Sequence, residues 1–243
     1  MKYKNFFIAS IAMTIIYAVL IWVGTVDVEN RFSGIIYKFI VIAVLLFSCY
    51  HAFSGLFKSG GAMFLAGALG LALLTVYEIF SLSYIYLWGG NINDISVIAY
   101  TRNCAYLLFL TGILFPLPVS ALFRKIFSIV STVAAVFVLI SVVIADRQLL
   151  QISSAVLMLL CLGFAVMLLY HSMKCPELKS NKLFAVSIII FCLHEVAYIL
   201  LINLFSLQVL YGIMLSFYPA IYFFIGIALA ALRNDNIQQT IPK

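Results

Sequence analysis

Apolar runs follow one another along this chain from end to end. Eight can be delimited, Phe6–Gly24, Ile35–Phe57, Ala62–Trp88, Ile95–Leu117, Ile126–Ala145, Leu149–His171, Leu183–Phe205 and Val209–Leu232, each near the roughly 20 residues that a helical bilayer crossing needs. The fourth and fifth are separated by Pro116, Pro118 and the Phe123, Arg124, Lys125 turn, which break an otherwise continuous stretch. With 66% of residues hydrophobic, 9% charged and a mean hydropathy of +1.20, nothing is left over for a soluble domain. The fold class expected is all-α, a polytopic membrane helix bundle of about eight transmembrane helices forming one domain over residues 1–243.

Loop charge orients the bundle, because Lys and Arg are retained on the cytoplasmic side during insertion. With eight crossings, Lys2, Lys4, Lys58, Arg124, Lys125, Lys174, Lys179, Lys182, Arg233 and Lys243 share one face, whereas Asp27, Glu29, Arg31, Asp94, Asp146 and Arg147 share the other. Seven crossings would scatter the basic loops over both sides. Both termini are therefore expected in the cytoplasm of a prokaryotic cell, with the chain in its inner or plasma membrane. The net charge of +6 reflects topology and calls for no nucleic-acid partner. The first run is longer than a typical signal h-region, and Gly24, Thr25 and Val26 make a poor cleavage site, so it is expected to be retained. Five cysteines, mostly within the runs and without CxxC or metal spacing, read as small apolar core residues.

Against this background two acidic residues stand out, Glu78 in the third run and Glu195 in the seventh. A charge at a helix centre costs about 3 kcal/mol or more, so an intramembrane carboxylate is a functional-site hypothesis by default. Laying the second half on the first at an offset of three residues under 120 matches Tyr77-Glu78 with His194-Glu195, and Tyr50-His51 and Tyr170-His171 close the second and sixth runs. Two parallel four-helix repeats are expected from this, approximately 1–122 and 123–243, placing the two glutamates opposite one another about a pseudo-twofold.

Gly60, Gly67, Leu71 and Leu74 share a helical stripe with Glu78, which should turn it into the bundle. Arg102 in the fourth run lies at a similar depth and is the expected ion-pair partner of Glu78, with Lys38, Asn103 and Tyr106 reaching the same layer. The alternative role of such a pair is to fix helix register alone. No cation accompanies Glu195, and its neighbour His194 is only conditionally charged. One carboxyl kept neutral beside another kept ionised is the arrangement that general acid and base chemistry requires. His51 and His171 read as interfacial residues near helix ends, and no ligand spacing such as HxxxH occurs, so no metal or other cofactor is expected. Tyr211, Tyr218 and Tyr222 form a stripe on the last helix, which Pro219 should kink; Tyr218 offers a polar tip to a lipid headgroup.

Four segments, GIIYKFIVIAVLLF, FLAGALGLALLTVYEIF, IIIFCLHEVAYILL and IMLSFYPAIYFFIG, make the chain resemble the lysoplasmalogenase (YhhN) family of eight-span membrane proteins. In that family a Gly-Asp pair in the third span and a Ser-Asp pair in the seventh are implicated in cleaving the vinyl ether of lysoplasmalogens. Here the corresponding pairs are Tyr77-Glu78 and His194-Glu195, Lys38 matches a family lysine but precedes Phe39 in place of proline, and Arg102 stands where the family is not normally charged. The resemblance implies a hydrolase with Glu195 as acid and Glu78, held ionised by Arg102, as base. Lys38, Arg102, Asn103, Tyr106, His194 and Tyr218 would bind the substrate, a membrane lipid of the lysophospholipid type, in a protein that can form homo-oligomers. Two other classes fit the composition: a ligand-binding sensor, which with eleven residues after Leu232 would be expected to signal through a separate partner, and a small proton-coupled transporter using both glutamates.

Overall fold

In the computed structural model the described residues are 31–59, 61–89, 96–114, 120–144, 147–174, 179–204 and 211–240, with isolated helical positions at Ala12 and Ile15. The first apolar run, apart from those two positions, and the basic residues Lys2, Lys4 and Lys243 lie outside them. Among the described residues every regular element is helical: α1 (Arg31–Ser59), α2 (Ala62–Ser81), α3 (Ser96–Leu114), α4 (Ala121–Val143), α5 (Arg147–Lys174), α6 (Lys179–Tyr198), α7 (Tyr211–Ser216) and α8 (Tyr218–Thr240). Two of them continue without a break into one wider π-helical turn, α2 over Leu82–Leu87 and α6 over Ile199–Leu204. Among the described residues, five stretches are long and apolar enough to cross a membrane: Gly34–Lys58, Met63–Leu87, Gln151–Lys174, Asn181–Leu201 and Gly212–Arg233. The proline-rich boundary expected between the fourth and fifth runs does separate two helices, α3 ending at Leu114 and α4 starting at Ala121.

Six helices close into a ring in which α1 packs on α2, α2 on α3, α3 on α5, α5 on α6, α6 on α8, and α8 back on α1. The fourth helix lies against α3 and α5 at the periphery. Large apolar side chains such as Phe39, Leu46, Phe80, Val133 and Leu159 are exposed on the outside, a surface tolerable in hydrocarbon and costly in water. Polarity is turned inward, where Ser48, Thr75, Glu78, Ser81, Asn103, Ser153, Ser154 and Glu195 are buried among Leu45, Leu71, Phe109, Ile188, Phe191 and Ile225. Lys58, Lys174 and Lys182 gather at one end of the bundle. The C-terminal part of α8 joins that end, since the Arg233 Nη1 donates to Ser54 Oγ of α1 over 2.9 Å.

Hydrogen bonds cross the seams of this ring because a polar side chain in hydrocarbon has no water to bond and takes its partners from its own helix or a neighbouring one. Between α1 and α8, Ser48 Oγ donates to the Tyr222 carbonyl over 2.7 Å. Between α3 and α5, Ser154 Oγ donates to Asn103 Oδ1 over 2.6 Å, and Cys161 Sγ donates to the Tyr106 carbonyl over 3.5 Å.

Pro219 interrupts the last crossing as its missing N–H requires. The helix breaks at Phe217, whose N–H reaches back only to the Met214 carbonyl. Proline has no hydrogen to give the Leu215 carbonyl, four residues earlier, and the Tyr37 hydroxyl donates to it instead over 2.9 Å. His194 Nε2 donates to the Met214 carbonyl over 2.8 Å, which fixes the tautomer of that ring. The break is thus spliced onto the residues that flank Lys38 and Glu195 in sequence.

Close approach of α1 and α8 depends on Gly226, where a Cβ would lie 2.4 Å from Ser48 Oγ and 3.1 Å from Ser48 Cα. Gly163 on α5 has nothing within 4 Å of the same position. Overpacking of this kind typically costs about 1–3 kcal/mol. Gly226→Ala should therefore lower the melting temperature of the detergent-solubilised protein by several degrees, while Gly163→Ala leaves it unchanged or raises it; equal melting of the two variants would contradict the packing described.

Candidate functional site

Glu78 faces the interior because Gly67, Leu71 and Leu74 on its stripe are all buried against neighbouring helices, and its own side chain is only 5% exposed. Its partner is Lys38 of α1, whose Nζ forms an ion pair with Glu78 Oε2. The Glu78–Arg102 pair expected from matched depths does not form. Depth along a helix says nothing about rotation around it: α1 presents Lys38 directly to the carboxylate, whereas Arg102 of α3 is turned onto aromatic rings. The guanidinium lies 5.7 Å from the Tyr77 ring centre and 5.9 Å from that of Tyr106, within the range of cation–π attraction. Lys38 Nζ approaches Tyr77 as well, at 5.9 Å, so one tyrosine ring lies beside both cations.

Glu195, one turn before the end of α6 proper, is 1% exposed. The Tyr106 hydroxyl donates to its Oε2 over 2.6 Å, and its Oε1 is buried with no hydrogen-bond partner. Arg102 Nε is likewise buried and unpartnered. Leaving a buried polar atom unsatisfied costs about 1–3 kcal/mol. Arg102 and Glu195 thus each carry a buried, unpartnered polar atom, and both residues border one place.

That place is a cavity of about 60 Å³ at the π-helical end of α2 and α6, where Lys38, Glu78, Arg102 and Glu195 all contribute to one lining. Tyr77, Tyr198, Tyr218 and Tyr222 supply aromatic walls, and Tyr37, Ser81, Ile85, Tyr86 and Leu215 complete them. The space accommodates several water-sized groups or the polar end of a larger molecule. Formally two cations face two anions, and the arrangement is asymmetric: one carboxylate is neutralised within the protein by Lys38, while the other is held by a neutral phenol and keeps one oxygen free.

Of the residues singled out in the sequence, Lys38, Glu78, Arg102, Glu195 and Tyr218 line this cavity. Tyr106 stands behind Glu195 as its hydrogen-bond donor. Asn103 does not reach the cavity: its amide is engaged by Ser153, at 3.4 Å, and Ser154, which makes it a tie between α3 and α5. His194 also points elsewhere, to Met214 and against the Tyr218 ring at 4.5 Å. Ser81 and Tyr198 were not anticipated, although each lies three residues beyond a glutamate and so on the same helical face, a signal the helical period alone carries. Tyr37, Tyr86 and Leu215 had no such signal. Among the described residues no cluster of three His, Cys, Asp or Glu side chains could hold a metal ion.

No protein-family model matches the chain. No curated protein and no solved structure matches it significantly. The likeness to lysoplasmalogenases therefore rests on the short segments quoted above.

Removing one partner of a buried ion pair typically costs about 3–5 kcal/mol, because the other charge is stranded, whereas replacing both can be nearly neutral. Lys38→Met should accordingly melt well below the wild type and Lys38→Met with Glu78→Leu should recover most of the loss. A Lys38→Met variant as stable as the wild type would show that the two side chains do not pair.

Proposed function

We propose that the chain is an integral membrane hydrolase whose reaction is that of the lysoplasmalogenases, cleavage of the vinyl ether of a single-chain, lysoplasmalogen-type lipid. The observation that carries this reading is the presence of Glu78 and Glu195 in one cavity with unlike partners. An enol ether is hydrolysed by protonation at its β-carbon, which gives an oxocarbenium ion; water adds to that ion, and the hemiacetal collapses to an aldehyde and the free alcohol. Tyr106 occupies Oε2 of Glu195, so Oε1 is the oxygen from which a proton would be delivered. Glu78, paired with Lys38 rather than with Arg102, would stabilise the cation and take a proton from the attacking water, after which proton exchange with solvent resets both carboxyls. Arg102 Nε would hold an oxygen of the glycerol headgroup. Only the reacting atoms and part of the headgroup fit in about 60 Å³, so the tail would lie among the helices. No cofactor enters this scheme.

In this reading the protein crosses the inner or plasma membrane of a prokaryotic cell about eight times, with its basic end and both termini in the cytoplasm. Two parallel halves, approximately 1–122 and 123–243, would be related by a pseudo-twofold. Supporting that relation, α1, α2 and α3 make the same neighbour contacts as α5, α6 and α8. In addition, α2 and α6 each pass into a six-residue π turn that begins four residues after the glutamate.

A second reading is favoured by the Lys38–Glu78 pair, which leaves Glu195 as the sole acid without a cationic partner: a pocket that binds a small polar ligand or headgroup without turnover, as in a sensor. Aldehyde release from a lysoplasmalogen by the purified protein separates the two. Wild type should turn over, and Glu195→Gln and Glu78→Gln should each lose about 100-fold or more, the ordinary weight of a general acid or base. Tyr106→Phe, which frees Oε2 of Glu195, should lose less. A folded wild type that releases no aldehyde overturns the hydrolase reading in favour of the binding pocket.

A further inference from the structure

A second polar cluster lies at the opposite, basic end of the bundle, between α1 and α8. Phe47, His51, Ser54 and Lys58 recur along one face of α1 at helical spacing. Arg233 of α8 reaches across to them and spends one donor on Ser54 Oγ over 2.9 Å. Its Nε is buried and unpartnered, as is Nδ1 of His51, a side chain only 8% exposed. The only salt bridge formed among the described residues is Lys38–Glu78 at the other end, so no described carboxylate neutralises Arg233.

A guanidinium tied to Ser54 and an imidazole one helical turn before that serine, each residue with a buried nitrogen unused, form a poor site for a cation and a good one for an anion. We infer that the α1–α8 seam binds the phosphate of an anionic phospholipid headgroup through Arg233, His51 and Ser54, with Lys58 at its rim. Phosphate is the fitting chemistry because its several oxygens can accept from donors arriving on two helices, and a charged acceptor strengthens each bond. A lipid is the fitting source because of depth: Arg233 directly follows the apolar stretch ending at Leu232, and Lys58 closes the last turn of α1, which is where headgroups lie. Phe47, edge-on to His51 at 4.6 Å and stacked on Phe223 at 5.0 Å, makes the floor apolar. Tyr50 and Phe57, exposed on α1, offer a surface along which acyl chains can run. Basic clusters at such junctions are used elsewhere for anionic lipids. This site is independent of the cavity around Glu78 and Glu195.

The test is native mass spectrometry of the detergent-purified full chain titrated with phosphatidylglycerol or with phosphatidylcholine of the same acyl chains. Arg233→Gln, His51→Gln and Lys58→Gln are compared with Lys125→Gln, an equal charge change at an exposed position on α4, and folding is checked by thermal melting. Phosphatidylglycerol should bind the wild type at least tenfold more tightly than phosphatidylcholine. Arg233→Gln should remove most of that preference, His51→Gln should weaken binding several-fold, and Lys125→Gln should leave it intact. If Arg233→Gln fails to fold, His51→Gln and Lys58→Gln decide the question. Equal affinity for both lipids, or equal losses in Lys125→Gln and the seam variants, overturns the site. Saturation by millimolar inorganic phosphate in the absence of lipid overturns the lipid assignment and makes free phosphate the ligand.

Discussion

Inside hydrocarbon no water is available to complete a hydrogen bond, so every polar group has to be satisfied by the chain itself. That constraint organises this protein at every level. It makes the backbone helical, and it makes each departure from the α-helix a place where something else must bond. The break before Pro219 releases the carbonyls of Met214 and Leu215, and these are taken by His194 and Tyr37. Those two residues are sequence neighbours of Glu195 and Lys38. A proline in the last crossing thereby holds in register the helices that carry one member of each carboxylate arrangement.

The same constraint sorts the charges. Lys38 and Glu78 neutralise one another, Arg102 rests on the rings of Tyr77 and Tyr106, and Tyr106 in turn donates to Glu195. Ion pair, cation–π contact and hydrogen bond form one continuous set of contacts linking the two acids across α1, α2, α3 and α6. What the set leaves over is one buried, unpartnered atom on Arg102 and one on Glu195, two residues that line a shared cavity. A buried network with open valences of complementary kind is suited to receive a polar group, and the seam between α1 and α8 repeats the logic with open donors alone.

Much of the site was legible before any coordinates, and for a specific reason. Charged residues within apolar runs are costly, so Glu78, Glu195, Lys38 and Arg102 marked themselves; counting residues from the ends of the runs placed Glu78, Arg102 and Lys38 in one layer, and the match of Tyr77-Glu78 with His194-Glu195 set Glu195 opposite Glu78. Pairing was not legible. Depth follows from a rise of about 1.5 Å per residue, but which side chains meet depends on how each helix is rotated and which neighbour it packs on. Arg102 was matched to Glu78 by depth and lost to Lys38 by rotation. Asn103, counted among binding residues because it sits beside Arg102, faces Ser153 and Ser154 instead, since adjacent residues on a helix point about 100° apart.

Sequence alone therefore determined that the chain is a bundle of apolar helices, roughly where each helix lies, and that its interior carries acids and bases in need of partners. These are properties of composition and of one-dimensional spacing. Only the tertiary structure decided that six helices close into a ring, that Lys38 belongs to Glu78, and that Tyr106 belongs to Glu195. Only it brought Tyr37, Tyr86 and Leu215 to the cavity and Arg233 to Ser54. The physical reason is that hydrophobic burial is non-directional and readable from residue type, whereas a hydrogen bond or ion pair exists only between particular atoms that packing brings within reach.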